Sequence, residues 1–350
     1  MKYKLIIIVS FIIFIIGCSN INENLYTKKD TLNLSNEEIK VNSNVHKLLD
    51  NSSKISESSV PYTLASGFIP DEIWKEKLQL KGGKEQFIYL KKKTNDNITG
   101  TVIYDNSTDK AINITTIFLQ GNTNAKIKLK GSPEWKPAIF LSVPADSTVE
   151  FEIEINWDSH GLEELTFFPL NHSNEENRYN GGNLGLFRFF VMNKKELLTS
   201  KMLKNQSFDL PSNFNMDNES IFPSPSWMGS TSFNPKYITH NNKSYTKEKI
   251  KGLRLDPIPY KTKVDIIWID EFGNTNLLAD NIQINKGQST EINIEKGILE
   301  DIYKNDRRQF LLVLNNRGQN ILADIKAVDQ NNKPFPTTYQ GIIEIYPVAE

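Results

Sequence analysis

Apolar and polar residues alternate along much of the chain. In "TVEFEIEINW", Val149, Phe151, Ile153, Ile155 and Trp157 fall on one side while Glu150, Glu152, Glu154 and Asn156 fall on the other. That period of two is the mark of a strand with one face in a core and one in water. "AKIKLKG" repeats the pattern, with Ile127 and Leu129 set against Lys126, Lys128 and Lys130, and such a lysine row discourages edge-to-edge pairing. Further strands are expected at Gln86 to Leu90, Ile98 to Tyr104, Ala111 to Leu119, Ala138 to Val143, Leu165 to Phe168 and Leu184 to Met192. The last is apolar on both faces, as a covered central strand requires. With Asn, Gly, Asp and Pro turns between them, these runs predict a β-sandwich over residues 61–205. Two helical stretches accompany it, a brief one after Pro70 in "FIPDEIWKEKLQL" and one in "NKKELLTSKMLKN", Asn193 to Asn205, whose leucines and methionine recur at helical spacing.

Residues 206–235 are loaded with Pro, Ser and Asn and read as a linker or long loop. Strand signals resume over 236–350. "TKVDIIWIDEFGNTNLLAD" reads as strand, turn at Glu271 to Asn274, and strand. Gln288 to Ile294, Phe310 to Leu314, Ile321 to Val328 and Gly341 to Tyr346 come next, with a short helix in "GILEDIYKND". A second sandwich is therefore expected. At the other end, residues 18–60 are polar and poor in aromatics, too little apolar surface to offset ordering entropy, and are expected to be a flexible stalk, with a short helix around Glu37 to Leu49 as the alternative.

The start of the chain has a different character. "MKYK" supplies two lysines, Leu5 to Ile16 is apolar except for Ser10, and the run is shorter than the roughly 20 residues a membrane-spanning helix needs. This is the layout of a cleaved export signal, residues 1–17. The only cysteine in the chain stands at its foot. Ile15-Ile16-Gly17-Cys18 resembles the lipobox of bacterial lipoproteins. The resemblance implies cleavage between Gly17 and Cys18, a diacylglyceryl group on the Cys18 sulfur, an acylated mature N-terminus, and a place on the extracytoplasmic face of a bacterial cell membrane. Two acyl chains, at about 0.8 kcal/mol per buried methylene, would make that attachment effectively permanent.

A weaker resemblance concerns the fold. "PADSTVEFEIEI" and "NKGQSTEINIE" both resemble the strand that closes one sheet of bacterial immunoglobulin-like modules. The antibody-type pair of cysteines is absent, so any relation is to the cysteine-free sandwiches. The fold class expected is all-β, with two immunoglobulin-like β-sandwich domains and a few short helices after a disordered stalk.

Composition narrows the chemistry. With Cys18 committed to lipid, no thiol remains for a disulfide, a thiolate nucleophile or a zinc-sulfur site. A net charge of −1 gives no global field to draw the protein to nucleic acid. No Gly-x-Ser-x-Gly elbow, His-Glu-x-x-His pair, phosphate-binding glycine loop or dinucleotide fingerprint occurs in the sequence. Of the four histidines, His46 falls in the expected stalk; Asp158, Ser159 and His160 are too close in sequence to form a relay. Pairs such as Glu163 with Glu164, or Glu175 with Glu176, read as solvated faces. Asp105, Ser107 and Asp109 could offer oxygen ligands from one loop, but they fit an Asx-type turn better, so no metal or cofactor is expected.

Aromatic residues in loops are the remaining candidates. Trp227 and Phe233 sit among small residues in "SPSWMGSTSFNP", and Trp135 in "GSPEWKPAIF". Exposed, they would form a platform for a glycan or peptide; buried, Trp227 would pin a connector. The function expected is non-enzymatic, a surface lipoprotein that binds or supports a protein or envelope-glycan partner. A substrate-binding lipoprotein of an ABC importer and a lipid-anchored hydrolase are the alternatives.

Overall fold

The computed structural model describes residues 30–48, 64–80, 83–92, 97–157, 162–172, 187–193, 223–229, 237–240, 243–246, 250–258, 261–303, 309–315 and 340–345. In chain order the first group of strands is β1 (Leu32–Asn33), β2 (Lys40–Ser43), β3 (Leu64–Pro70), β4 (Trp74–Leu80), β5 (Gly83–Lys92), β6 (Ile98–Asn106), β7 (Ile112–Gln120), β8 (Thr123–Asn124), β9 (Ile127–Leu129), β10 (Ala138–Val143), β11 (Ser147–Ile155), β12 (Leu162–Asn171) and β13 (Phe187–Asn193). The second is β14 (Pro225–Gly229), β15 (Tyr237–His240), β16 (Lys243–Thr246), β17 (Ile250–Leu255), β18 (Thr262–Asp270), β19 (Thr275–Ile284), β20 (Thr290–Asn293), the helix α1 (Lys296–Tyr303), β21 (Gln309–Asn315) and β22 (Gln340–Ile345). The class is all-β, as the alternation predicts.

Five sheets occur among the described residues, of which four pack into the body and the fifth is the two-stranded pair β15-β16. The first has the order β2-β11-β6-β3 with β9 beside β11, and the second the order β1-β10-β7-β12-β13-β5-β4 with β8 beside β7. The third runs β19-β18-β21-β22 and the fourth β14-β17-β20. Side-chain alternation stacks them in that order. Val102 and Tyr104 from β6 and Val149, Phe151 and Ile153 from β11 share a core with Ile114 and Phe118 from β7 and Leu165 and Phe167 from β12. Edge-to-face rings tie this core together, with Phe68 and Phe118 at 5.1 Å and Phe68 and Phe189 at 5.5 Å. Between the third and fourth sheets, Trp227 and Leu253 meet Val264, Ile266 and Trp268 from β18 and Leu311 and Val313 from β21.

A third core joins these two sandwiches. The opposite faces of β7 and β12 present Ile117, Leu119, Phe168 and Leu170; the opposite faces of β18 and β21 present Ile267, Ile269, Phe310, Leu312 and Leu314. These residues pack on one another, with Phe168 and Phe310 edge to face at 6.2 Å. The second and third sheets are thus covered on both sides, which explains why their middle strands carry apolar residues at odd and even positions alike. Burying a residue of this size is worth about 1.5–3 kcal/mol, so the seam is a major source of cohesion.

The expected stalk needs correcting. Its residues 31–48 belong to the first sandwich: β1 pairs in parallel with β10 and β2 pairs antiparallel with β11, so one short segment closes an edge of both sheets. Ile39 is buried in the core, Leu32 and Leu34 pack against it, and the Leu34 amide donates to the Phe140 carbonyl at 2.9 Å. Three scattered apolar residues suffice because the edges of β10 and β11 supply backbone partners, a contribution that local composition does not contain. The alternative helix at Glu37 to Leu49 gives way for the same reason. The helix expected after Pro70 is likewise replaced by a strand, β4, which pairs antiparallel with β5 from Trp74 to Leu80. The expected linker also contains a strand, β14, paired with β17. The short helix in "GILEDIYKND" is α1. The Asn193 to Asn205 helix and the Ile321 to Val328 strand lie outside the described residues, apart from Asn193 at the end of β13.

Close approach at the seam dictates one glycine. Gly273 has φ +82°, and a Cβ there would lie 2.8 Å from the Ala138 Cβ and 3.1 Å from the Pro137 carbonyl oxygen. Gly121, with φ +53°, has open space around it. Replacing each by alanine separates strain from collision. Gly121→Ala is expected to cost about 1 kcal/mol in urea unfolding, and Gly273→Ala about 2–4 kcal/mol because seam packing must also yield. Equal losses would show that the seam tolerates the extra carbon.

Candidate functional site

The best-defined surface constellation lies on the outer face of the first sheet, around Trp135. β11 places Glu152 and Glu154 on that face, and β9, paired with it in the register Glu154 to Lys128, sets a lysine opposite a carboxylate. Lys128 Nζ lies 3.2 Å from Glu154 Oε2 and 4.8 Å from the centre of the Trp135 ring. The Asn97 amide donates to Glu154 Oε2 at 2.9 Å, and the Gly131 amide to Oε1 at 3.5 Å. Beside them Lys130 and Glu152 pair at 2.7 Å, and Lys136 and Glu134 at 2.7 Å.

These contacts set the electrostatics. Burial pushes the Glu154 carboxyl up, but hydrogen bonds from Asn97, Lys128 and Gly131 outweigh it and hold the group below its ordinary value. Lys130 is raised above the ordinary lysine value, first by its hydrogen bond to Glu152 and then by that carboxylate's charge. Glu154 stays ionised and Lys130 stays protonated near neutral pH, so neither is poised as a general acid or base there. The Trp135 ring is half-buried and one face carries the Lys128 ammonium. What the cluster offers is a fixed array of charges and amides around an aromatic ring, suited to recognition.

A second polar cluster spans the seam. Thr115 Oγ1 is 2.7 Å from His172 Nε2, and His172 Nδ1 is 3.0 Å from Glu271 Oε2. This is the atom order of a hydroxyl, imidazole and carboxylate relay. Thr115, however, is fully buried with 0 % exposure, so no substrate carbonyl can approach its oxygen. The trio pins the second sheet to the turn after β18. Nearby, the Asn124 side-chain amide donates to the Gly273 carbonyl at 2.8 Å, and the Asn122 amide to Asp265 at 3.0 Å. Asp265 is buried and also accepts the Asn281 backbone amide at 2.8 Å, the pairing that a buried carboxylate requires. No local motif marks these residues; the available signal is the loss of alternation in "TTIFL", "DIIWI" and "FLLVL", the sign of strands covered on both faces.

The other expected site residues are scattered through the fold. Trp227 is 1 % exposed and packs in the core between the third and fourth sheets, so it is no platform, and it pins a strand within one sandwich instead of a connector between two. Gly17, Cys18, Phe233, Asp158, Ser159, His160, Glu175 and Glu176 lie outside the described residues. Glu163 and Glu164 fall in β12, His240 in β15. His46 Nε2 is 3.0 Å from Asp146, whereas His172 meets Thr115 and Glu271. Asp105 is fully buried and accepts from the Leu48 amide and the Thr148 hydroxyl, while the Asn106 side chain accepts from the Thr108 amide at 3.0 Å, the Asx turn that the sequence suggests. No group of three or more His, Cys, Asp or Glu able to hold a metal occurs among the described residues.

No family model matches the chain, and no curated protein matches it. Among solved structures, the apo form of the Calx CBD1 domain is similar at 11 % identity and a TM-score of 0.20, covering 30 % of this chain and 89 % of that one. CBD12 from CALX1.2 gives 11 % identity and a TM-score of 0.20 over 73 % of this chain and 97 % of that one. Red sea bream transglutaminase gives 8 % identity and 0.19, with 83 % of this chain matching 32 % of the enzyme's length. No catalytic family is identified, and at these scores the likenesses carry no activity or ligand over to this chain.

Two tryptophans separate packing from recognition. Trp227→Ala is expected to lower stability by about 3–5 kcal/mol. Trp135→Ala should lose only about 0.5–1 kcal/mol with its lysine contact. Urea unfolding of the two variants checks this, and comparable losses would contradict the assignment of Trp135 to the surface.

Proposed function

We propose that the protein is an extracytoplasmic lipoprotein, tied to the cell membrane by acylated Cys18, that serves as a non-enzymatic binding or structural module for a protein or envelope-glycan partner. The observation that carries this reading is the placement of the chain's single cysteine at the end of the Leu5 to Gly17 run, with a strand-built body after it. A body of stacked sheets joined by a continuous apolar seam suits a rigid spacer or scaffold. The charged array around Trp135 is the surface on which a polar partner would be recognised. The clearest histidine-centred relay is consumed in holding the seam, which favours binding over hydrolysis. The importer alternative, which length and anchoring suit, is disfavoured by the all-β body, since its familiar lobes alternate strands with helices of ten to fifteen residues and α1 is the only helix among the described residues.

The test is direct. Cys18→Ala is expected to leave an unprocessed precursor and to abolish incorporation of a fatty-acid analogue in the native host. Incorporation that persists in the variant would place the lipid elsewhere and remove the basis for the reading.

A further inference from the structure

We infer that the anchor and the folded body are separated by a short leash, so that the protein works against the membrane face instead of reaching across the envelope. The inference rests on the lipoprotein reading and adds to it the position of the partner. Composition allots the whole of 18–60 to a spacer, which fully extended at about 3.3–3.6 Å per residue would reach about 140 Å. The structure takes most of that length back. Thr31 is 3 % exposed, β1 is paired on β10, β2 on β11, and Ile39 is in the core. Only Ser19 to Lys29 remains between the acylated residue and Asp30, a span of at most about 40 Å.

The attachment is made secure past β2. The segment from Asn44 to Leu48 crosses the outer face of the first sheet: the Asn44 amide donates to the Asp146 carbonyl at 2.9 Å, His46 meets Asp146 at 3.0 Å, and Lys47 pairs with Glu150. The Thr148 hydroxyl, bonded to Asp105, also lies against the Val45 carbonyl, the Leu48 amide donates to the fully buried Asp105, and Leu48 methyls lie 3.4 Å from where a Gly67 Cβ would be. Peeling this segment away would leave Asp105 without the Leu48 amide and would strip the edges of two sheets together. The leash therefore ends at Asp30, and the stacked body moves with it as one piece. A partner must itself lie in, or extend into, the layer that a leash of this length allows.

The full-length, host-processed protein in membranes carrying an acceptor-labelled lipid supplies the test. Asp109, exposed in the turn before β7, is changed to cysteine and labelled with a donor fluorophore; if Cys18 is acylated, this is the one free thiol. A second form carries a Gly/Ser segment of about thirty residues between Asn24 and Leu25, which touches none of the described strands and lifts the maximum span to about 140 Å. Energy transfer to the lipid is expected to fall several-fold with the insertion. Equal transfer in the two forms, with acylation intact, overturns the leash and leaves the anchor standing. Two labelled thiols per chain, with no fatty-acid incorporation, overturns the anchor and the leash with it.

Discussion

The apolar contact between the second and third sheets is the constraint on which the rest of the molecule depends. Ile117, Leu119, Phe168 and Leu170 on one side have no water-facing role, and neither have Ile267, Ile269, Phe310, Leu312 and Leu314 on the other. Separated, each sheet would present a continuous greasy face of the kind that drives association. Joined, they turn two sandwiches into a four-layer stack. The polar contacts at the rim, Asn122 to Asp265, Asn124 to Gly273 and the Thr115, His172, Glu271 trio, then fix the register of one sandwich on the other. Their contribution is specificity of placement more than energy, since a net hydrogen bond is worth only about 1 kcal/mol while each large seam residue is worth more.

This arrangement bears on function through rigidity. A protein tethered at one end and recognised elsewhere transmits position only if its body does not bend. On the proposed lipoprotein reading, the N-terminal segment docked on β10 and β11 would extend that logic to the point of attachment, because the first sandwich would be the terminus of the leash. The Trp135 array then faces outward from a sheet whose inner face is locked in the first core, with Phe151, Ile153 and Ile155 beneath Glu152 and Glu154.

The strands of both sandwiches were legible wherever one face meets water. β11 and β10 follow their predicted spans closely because alternation is a local property of the residues that make it. Three features were not legible, each for a physical reason. β1 and β2 have little apolar content of their own, and their order comes from edges contributed more than a hundred residues away. β14 is hidden among Pro and Ser, and only its pairing with β17 and the burial of Trp227 make it a strand. The seam depends on which face of β7 meets which face of β18, a tertiary fact that sequence registers only as missing alternation. For the candidate site, sequence left Trp135 open between an exposed platform and a buried packing residue; it could not supply Lys128 and Glu154 as its neighbours, because cross-strand register sets that contact.

Hydrogen exchange of the unsubstituted protein under increasing denaturant, read amide by amide, tests the stacked-body account most directly. One set of amides lies in β6 and β11, on the first core, and the other in β18 and β21, between the second and fourth sheets. If the seam makes one cooperative unit, the slowest amides of both sets open with the same free energy and the same denaturant dependence. Two separate opening free energies would mean that the sandwiches unfold independently and that the middle core does not bind them into one body.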